Sequence, residues 1–539
     1  QGTLHPARLD RTTETEIEAP GGVSLAAQAM TITRNANLQA AEKVAKYKEI
    51  ISQNAGAPGV AHSYDALIRA AEKAELSPEE VQGAIVAWLA SAAPYGQEWS
   101  EATRDKILVA LGDQAKYAKL KLALAQEAQK ELAEDATLDR RAGVARLVAN
   151  TAKAAGNEEL AKSADVSATK LEKEAASARL AKAQADLKAL PETATTEERA
   201  ALARVVAESA AAAGATEIAK TANEAWQKLE AQLDDEYHQN VPPFKPEPFG
   251  GRKDPQDNRV VVLELFTGAQ CPPCVAADVA FDALVGSYRP SELIGLQYHL
   301  HIPGPDPLTN DDTEARAKYY GVRGTPSTYF NGEALSGGGG PMANSKNKYD
   351  DYLKIIGADL AGQQPAKIDL KLTRSGDSIN VTVSAQATDD SVNAARAALA
   401  KLAAERAAAD AAGKKEDEEK KEPAGPPQLR LRLVLVQEEV RYVGGNRLRF
   451  HHHVVRAMPG GVEGKELISG QSESSLTIDL ASIRDGLDKY LAEYPKGGRP
   501  FPQALPPLDL THLSVVALVQ DDADKQVVGA VQVAVPDAK

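Results

Sequence analysis

VVVLELFTGAQCPPCVAADVAFDALV, residues 260–285, decides the fold of the central part of this chain. Val260–Phe266 is apolar and β-branched apart from Glu264, the composition of a strand buried on both faces. A short loop, Thr267–Gln270, leads into Cys271-Pro272-Pro273-Cys274, and Val275, Val279 and Leu284 then fall at helical spacing. Strand, loop, C-x-x-C and helix is the context in which such a pair carries chemistry. Cys271, at the helix N-terminus, is the expected nucleophile, its thiolate stabilised by free N–H groups and the helix dipole. Cys274, one turn on, is the expected resolving thiol. Pro272 and Pro273 remove two backbone donors, so the thiolate is expected to be less stabilised than in a strongly oxidising C-x-x-C protein. Glu264 has two readings, a buried carboxylate relaying protons to Cys274 or an ion-paired strand residue. The pair also has two: a working redox centre, or a permanently closed disulfide that staples the start of the helix.

Downstream, a second strand is expected at Leu293–His301 and a helix around Thr313–Tyr320. GVRGTPSTYFNG, residues 321–332, then brings a Thr325-Pro326 bond directly into a strand and a hairpin turn. In this order the pieces make residues 259–362 resemble the thioredoxin superfamily. The resemblance implies an α/β domain in which a residue–Pro peptide in the cis form faces the cysteines. Thr325 and Pro326 match that peptide, with Pro326 shaping a peptide-binding edge. The Glu-Leu-Phe-Thr lead-in, together with the β-rich sequence that follows, resembles a secreted, outer-membrane-associated branch with a C-terminal β-sandwich, which implies export by a bacterium. The sequence departs from ordinary oxidoreductases in three places. Gln270 precedes the first cysteine where Trp is typical, the loop from Glu264 to Cys271 is one residue longer, and the intervening dipeptide is Pro-Pro.

Outward from this domain, 539 residues are too many for one core. The expected fold class is multidomain α+β: an N-terminal all-α helical-repeat region, the thioredoxin-like α/β domain and a C-terminal β-sandwich with a helical insertion. Residues 1–30 read as an extended arm and 31–237 as helical repeat or bundle. Within the latter, Ser77-Pro78-Glu79-Glu80 opens a helix with a capping box, and Val81, Ile85, Trp88 and Leu89 form its apolar stripe. Thr137–Glu172 and Thr195–Glu230 repeat each other at an offset of 58 residues, with 18 of 36 positions identical. Eight of those are alanine and are discounted; Arg146/Arg204, Gly156/Gly214 and Lys162/Lys220 carry more weight. Each copy has a capping Thr at its start and a Gly where its first helix should end, so each reads as a helical hairpin. A separate connecting helix, Ala175–Lys188, is expected between the pairs. Such hairpins resemble tetratricopeptide-like solenoids that bind proteins, and a plain alanine-rich spacer bundle is the alternative. Residues 238–258, with five prolines, read as a stiff linker. Residues 366–539 read as strands at Lys367–Leu372, Ser378–Ala385, Gln428–Val436, Arg447–Val455 and Leu513–Val519, without intervening helices. Residues 391–427 read as a charged helical insertion, and Gly337–Gly340 as a flexible turn.

The net charge of −14 argues against a nucleic-acid or anionic-membrane partner. No run of 18 or more apolar residues marks a transmembrane helix. The chain starts at Gln1, its methionines (Met30, Met342, Met458) are internal and it has only two cysteines. Together these lead to an extracytoplasmic expectation, in the periplasm, at the cell surface or secreted, after removal of a signal peptide. His299 and His301 alternate on one strand, as do His451 and His453 on another. Each pair is a weak candidate for zinc or copper, lacking further ligands. No phosphate loop, Ser-His-Asp set or metalloprotease motif is present, and no cofactor is expected. The expected partners are proteins or protein thiols, with a homo-oligomer or larger assembly among the arrangements. The expected function is thiol–disulfide exchange through Cys271 and Cys274. The alternative is a non-catalytic cell-surface or extracellular interaction protein that uses the fold as a scaffold.

Overall fold

The computed structural model describes residues 24–388, 390–394, 396–397, 427–497 and 499–538. The chain divides into two compact units, residues 1–233 and 234–539. The architecture is mixed, with helices in the first and sheets flanked by helices in the second.

The first unit contains α1 (Leu25–Arg34), α2 (Ala40–Gln53), α3 (Ala61–Ala70), α4 (Pro78–Ala92), α5 (Gln97–Leu111), α6 (Ala118–Lys130), α7 (Leu138–Ala154), α8 (Glu158–Ala189) and α9 (Thr196–Ala213). The boundary between the units falls within α10 (Thr216–Asn240). Of the expected extended arm, residues 1–23 lie outside the described residues, whereas Leu25–Met30 belong to α1, capped by the Ser24 hydroxyl accepting from Ala27 N–H at 3.2 Å. The Ser77 hydroxyl accepts from Glu80 N–H at 3.2 Å, and Glu80 returns a bond to Ser77 N–H at 3.0 Å. Val81, Ile85 and Trp88 below it are buried, Trp88 stacked on Tyr64. The two repeat copies share their local geometry. Thr137 and Thr195 cap α7 and α9, and Gly156 and Gly214 follow those helices with φ of 76° in both. The expected connecting helix does not stand alone: α8 runs unbroken for 32 residues. No Gly or Pro occurs between Glu158 and Ala189, so nothing interrupts the ladder until Leu190-Pro191.

In the second unit the strands are β1 (Val261–Thr267), β2 (Leu293–His299), β3 (Ser327–Phe330), β4 (Glu333–Ser336), β5 (Lys367–Ser375), β6 (Ser378–Gln386), β7 (Leu429–Arg441), β8 (Phe450–Ala457), β9 (Lys465–Glu466), β10 (Gln471–Asp479), β11 (Leu513–Asp521) and β12 (Val527–Ala534). Helices α11 (Val275–Val285), α12 (Asp311–Tyr320), α13 (Ser345–Asp359) and α14 (Leu480–Glu493) accompany them. β1 pairs parallel with β2 and antiparallel with β3. The two regions expected to be separate domains, 259–362 and 366–539, share one nine-stranded sheet of order β12-β11-β7-β8-β2-β1-β3-β4, with β9 also on β7. The join is the parallel contact of β2 with β8, at Gln297 and Val454. A sandwich does form: the three-stranded sheet β10-β6-β5 packs through Leu370, Ile379, Val381 and Val383 on Leu433, Val515 and Ala517 of the large sheet. Its larger layer therefore continues into the cysteine-bearing half. Helix α14 also interrupts the strand series that was expected to be free of helices. Residues 395 and 398–426 of the expected charged insertion lie outside the described residues.

The proline-rich segment 238–258 is not a free tether either. Phe244 packs against Tyr349 with ring centroids at 5.1 Å, and Phe249 stacks on Tyr288 at 4.7 Å. Arg252 donates to the carbonyls of Leu360, Arg259 and Ser291, each at 2.8 Å. Aromatic anchors and one arginine thus hold a stretch whose composition alone reads as linker.

Glu264 sits in β1 with no exposure, and Arg316 of α12 grips it with two bonds, Nε to Oε1 at 2.9 Å and Nη2 to Oε2 at 3.0 Å. Tyr320 O–H donates to the same carboxylate at 2.5 Å, and Gln520 of β11 accepts from Arg316 at 2.8 Å. Burial works against the Arg316 charge, but the Glu264 carboxylate outweighs it and raises the guanidinium pKa above its ordinary value. Arg316→Met leaves that carboxylate buried and unmatched, and is expected to destabilise the second unit by about 3–5 kcal/mol. Adding Glu264→Gln should recover part of the loss. All three tryptophans lie in the first unit and eleven of the fifteen tyrosines in the second, so denaturation followed by near-ultraviolet circular dichroism, compared with tryptophan fluorescence for the first unit, checks the second.

Candidate functional site

Cys271 and Cys274 are joined in a disulfide at the start of α11, where Pro272–Cys274 forms a 3-10 turn that runs into the helix. Gly268 carbonyl accepts from Cys271 N–H, and Cys271 carbonyl accepts from Cys274 N–H. The expected nucleophile is not presented to solvent. Cys271 is 1% exposed and Cys274 is 0% exposed. The Thr325–Pro326 bond is cis. Thr325 lies against the disulfide, its hydroxyl 3.4 Å and its carbonyl 3.7 Å from Cys271 Sγ.

Two glycine segments press on the loop that carries the cysteines. Gly340 N–H donates to Pro273 carbonyl at 2.6 Å, and its own carbonyl accepts from Ala276 N–H at 2.9 Å. A Cβ on Gly339 would lie 2.0 Å from Pro273 O and 2.7 Å from Pro326 Cγ. Of Gly337–Gly340, expected to be a flexible turn, Gly337 and Gly338 are exposed and a Cβ on either would meet nothing, whereas Gly339 and Gly340 are packed backbone that only glycine lets come so close. On the other side, the turn between β7 and β8 abuts Ala269, where a Cβ on Gly444 would lie 2.2 Å from the carbonyl oxygen. Gln270, the residue before the first cysteine, accepts from Gly445 N–H at 3.0 Å and donates to Gln503 at 2.8 Å.

Glu264 belongs to the buried cluster with Arg316 and Tyr320, so the ion-paired reading describes it. The buried carboxyl on the disulfide's own helix is Asp278, which motif reading missed. It is the residue four after Cys274 on α11, and burial pushes its pKa well above the carboxylate range. Gln297 donates to Asp278 at 3.2 Å and accepts from His299 Nε2 at 3.1 Å, and His299 Nδ1 meets Asp306 at 2.8 Å. Asp306 in turn accepts from Ala269 N–H at 2.6 Å, tying this polar chain to the loop before Cys271. Burial alone would raise Asp306, but His299 and the N–H groups of Ala269 and Leu308 outweigh it and hold the carboxyl below its usual range. Two acids four residues apart, Asp278 and Asp282, inside the otherwise apolar helix Val275–Val285 were the available signal.

The histidine pairs reach different neighbours. His299 and His451 meet edge to face with centroids at 4.8 Å, whereas His301 stacks on Tyr494 at 3.6 Å. His453, with φ of 52°, directs Nδ1 to Gly295 carbonyl at 3.2 Å. Among the described residues no group of three or more His, Cys, Asp or Glu is placed to hold a metal ion. Among them, too, no helix is long and apolar enough to cross a membrane.

No protein-family model matches the chain. No curated protein matches it either. Solved structures give distant likenesses. HBP35 of Porphyromonas gingivalis aligns over 53% of this chain and 78% of its own, at 18% identity and a TM-score of 0.31. The nearly identical TPR-like repeats assigned to a Podosopora anserina kinesin light chain align over 43% of this chain and 99% of their own, at 15% identity and a TM-score of 0.23. At TM-scores this low, neither likeness establishes a fold or an activity for this chain.

His451 and His452 predict how stability follows pH. Burial and then the neighbouring His299 push His451 down to about 3. Its contribution is complete above about 6.5 and is lost as pH falls towards that value. For His452, burial is outweighed by Asp282 and Glu439, which hold it up to about 10. Its contribution is complete below about 6.5 and is lost as pH rises towards 10. Urea denaturation across pH should therefore give a stability maximum near neutrality for the second unit. His452→Gln should flatten the alkaline limb and His451→Phe the acid one.

Proposed function

We propose that this chain is a non-catalytic, extracytoplasmic interaction protein, in which a thioredoxin-like core serves as scaffold and the helical unit presents binding surface. Burial of Cys271 carries the proposal. Thiol–disulfide exchange requires a thiolate to approach a sulfur along the S–S axis. Here Thr325, the Gly339 backbone and the Gly444–Gly445 turn enclose the residues on which that approach depends. The thioredoxin-like assignment is supported by parallel β1 and β2, antiparallel β3, a C-x-x-C at the start of α11 and the cis Thr325–Pro326 peptide beside it. A closed disulfide with this degree of burial fits an oxidising compartment, where such bonds persist. The paired hairpins α7–α8 and α9–α10 fit a partner-binding role, since stacked helical pairs build extended surfaces.

A second reading, thiol–disulfide exchange with Cys271 attacking and Cys274 resolving, is favoured by one observation. The Thr325 backbone lies alongside Cys271 Sγ, where a substrate peptide would need to pair. It requires Gly339–Gly340 or the Gly444–Asn446 turn to move aside.

Equilibrating the folded protein with defined thiol couples, then alkylating free thiols, separates the two. The scaffold reading expects the disulfide to stay closed to below about −300 mV. A midpoint between about −120 and −270 mV, the range of working oxidoreductases, would overturn it. Gly444→Val, which forces the covering turn off Ala269, should make the disulfide reducible more readily than in the parent.

A further inference from the structure

In the first unit, α1, α2 and α3 leave an open groove of about 750 Å³ between them. That volume lies within the span of roughly 300–1,000 Å³ typical of ligand sites. Its floor is small and apolar, built from Ala29, Ala66 and Ala70, with the Met30 side chain at its lip. Met30 is 49% exposed, although it is one of only three methionines in the chain. Around this floor stand Arg34, Lys43, Arg69 and Lys73. Asp65 is the sole acid of the lining, and Arg69 already engages it at 2.8 Å. Lys43 is held at the edge by its bond to Thr33 carbonyl at 2.9 Å, while Arg34 closes the last turn of α1. The chain as a whole carries −14, so a groove ringed by four cations stands against the prevailing charge.

We infer that this groove binds an acidic peptide segment of a partner protein, one that seats an apolar side chain on the alanine floor between flanking carboxylates. The inference rests on the interaction-protein reading proposed above and names the partner's chemistry. The occupant follows from charge and shape together. Small residues on the floor leave room for a branched or unbranched aliphatic side chain against Met30, whose thioether adapts to different shapes. The ring of Lys and Arg steers carboxylates to the rim and disfavours basic segments. A neutral apolar peptide would leave the cations unmatched, and a basic one would be repelled.

Fluorescence anisotropy on the full chain tests this, with a labelled Glu-Glu-Leu-Glu-Glu peptide and a Lys-Lys-Leu-Lys-Lys counterpart as probes. Saturable binding of the acidic peptide alone is expected. It should weaken about ten-fold between about 0.05 and 0.5 M salt, as screening shortens the reach of the rim charges. Arg34→Glu with Lys73→Glu, both on exposed positions, should weaken it about ten-fold or more. Met30→Ser should weaken it several-fold without changing the salt dependence. Equal binding of the basic peptide, or undiminished binding by the charge-reversed variant, overturns the inference. So does self-association that the charge-reversed variant abolishes, because that would assign the groove to a second copy. The redox state of Cys271 and Cys274 plays no part in these measurements, so their failure leaves the scaffold reading standing.

Discussion

A single buried charge constrains the second unit. β1 is buried along its whole length, and it carries a carboxylate at Glu264. An unmatched carboxylate there would be untenable, so the fold must bring a cation and further donors to it. Arg316 and Tyr320 come from α12 to Glu264, and Gln520 of β11, more than 200 residues further along, accepts from Arg316 and donates to Tyr320. That cluster ties β11 to α12 and β1, within the sheet that β1 and β2 share with the C-terminal strands. The rest of the topology accommodates it, through the short parallel contact of β2 with β8 and the antiparallel run β8-β7-β11-β12.

The same fusion explains why the disulfide is covered. Once β7 and β8 lie beside β2, the turn that links them falls against Ala269 and Gln270, just ahead of Cys271. Glycine at 339 and 444 removes the side chains that would hold these segments away. The polar chain from Asp278 through Gln297 and His299 to Asp306 then lies sealed beneath, its members satisfied mostly by one another. Scaffold and chemistry are in tension at this point. The features that make the core rigid also close the approach to the disulfide.

The helical unit solves a different problem with the same economy. Alanine buries little area per residue, so helices rich in it must approach closely and run long to gain enough contact. Helix α8 does so through Ala164, Ala168, Ala175, Ala176 and Ala183. Its pairing with α7 is reinforced by Arg146, which reaches Asp165 and Glu172. The more diverse side chains gather in α1–α6, where Tyr47, Tyr64, Leu67 and Trp88 build an ordinary core.

Local patterns in the sequence were enough for the individual elements: β1 from its apolar run, the turn and helix after Cys271, the capped start of α4 and the paired hairpins at 58-residue spacing. Each depends on neighbours within a few residues or on an internal repeat, which a sequence displays directly. Long-range matters were settled by tertiary structure alone. The partner of Glu264 is 52 residues away in one direction and Gln520 lies far beyond it, so no local pattern distinguishes an ion pair from a proton relay. The sequence also offers no sign that Gly339, Gly340 and Gly444 are contact points, because glycine in a turn and glycine against a backbone look identical. Composition and periodicity determined many of the elements, though not α14 or the unbroken length of α8. The burial of one carboxylate, and the close approach that glycine permits, decided how they join and whether the cysteines meet solvent.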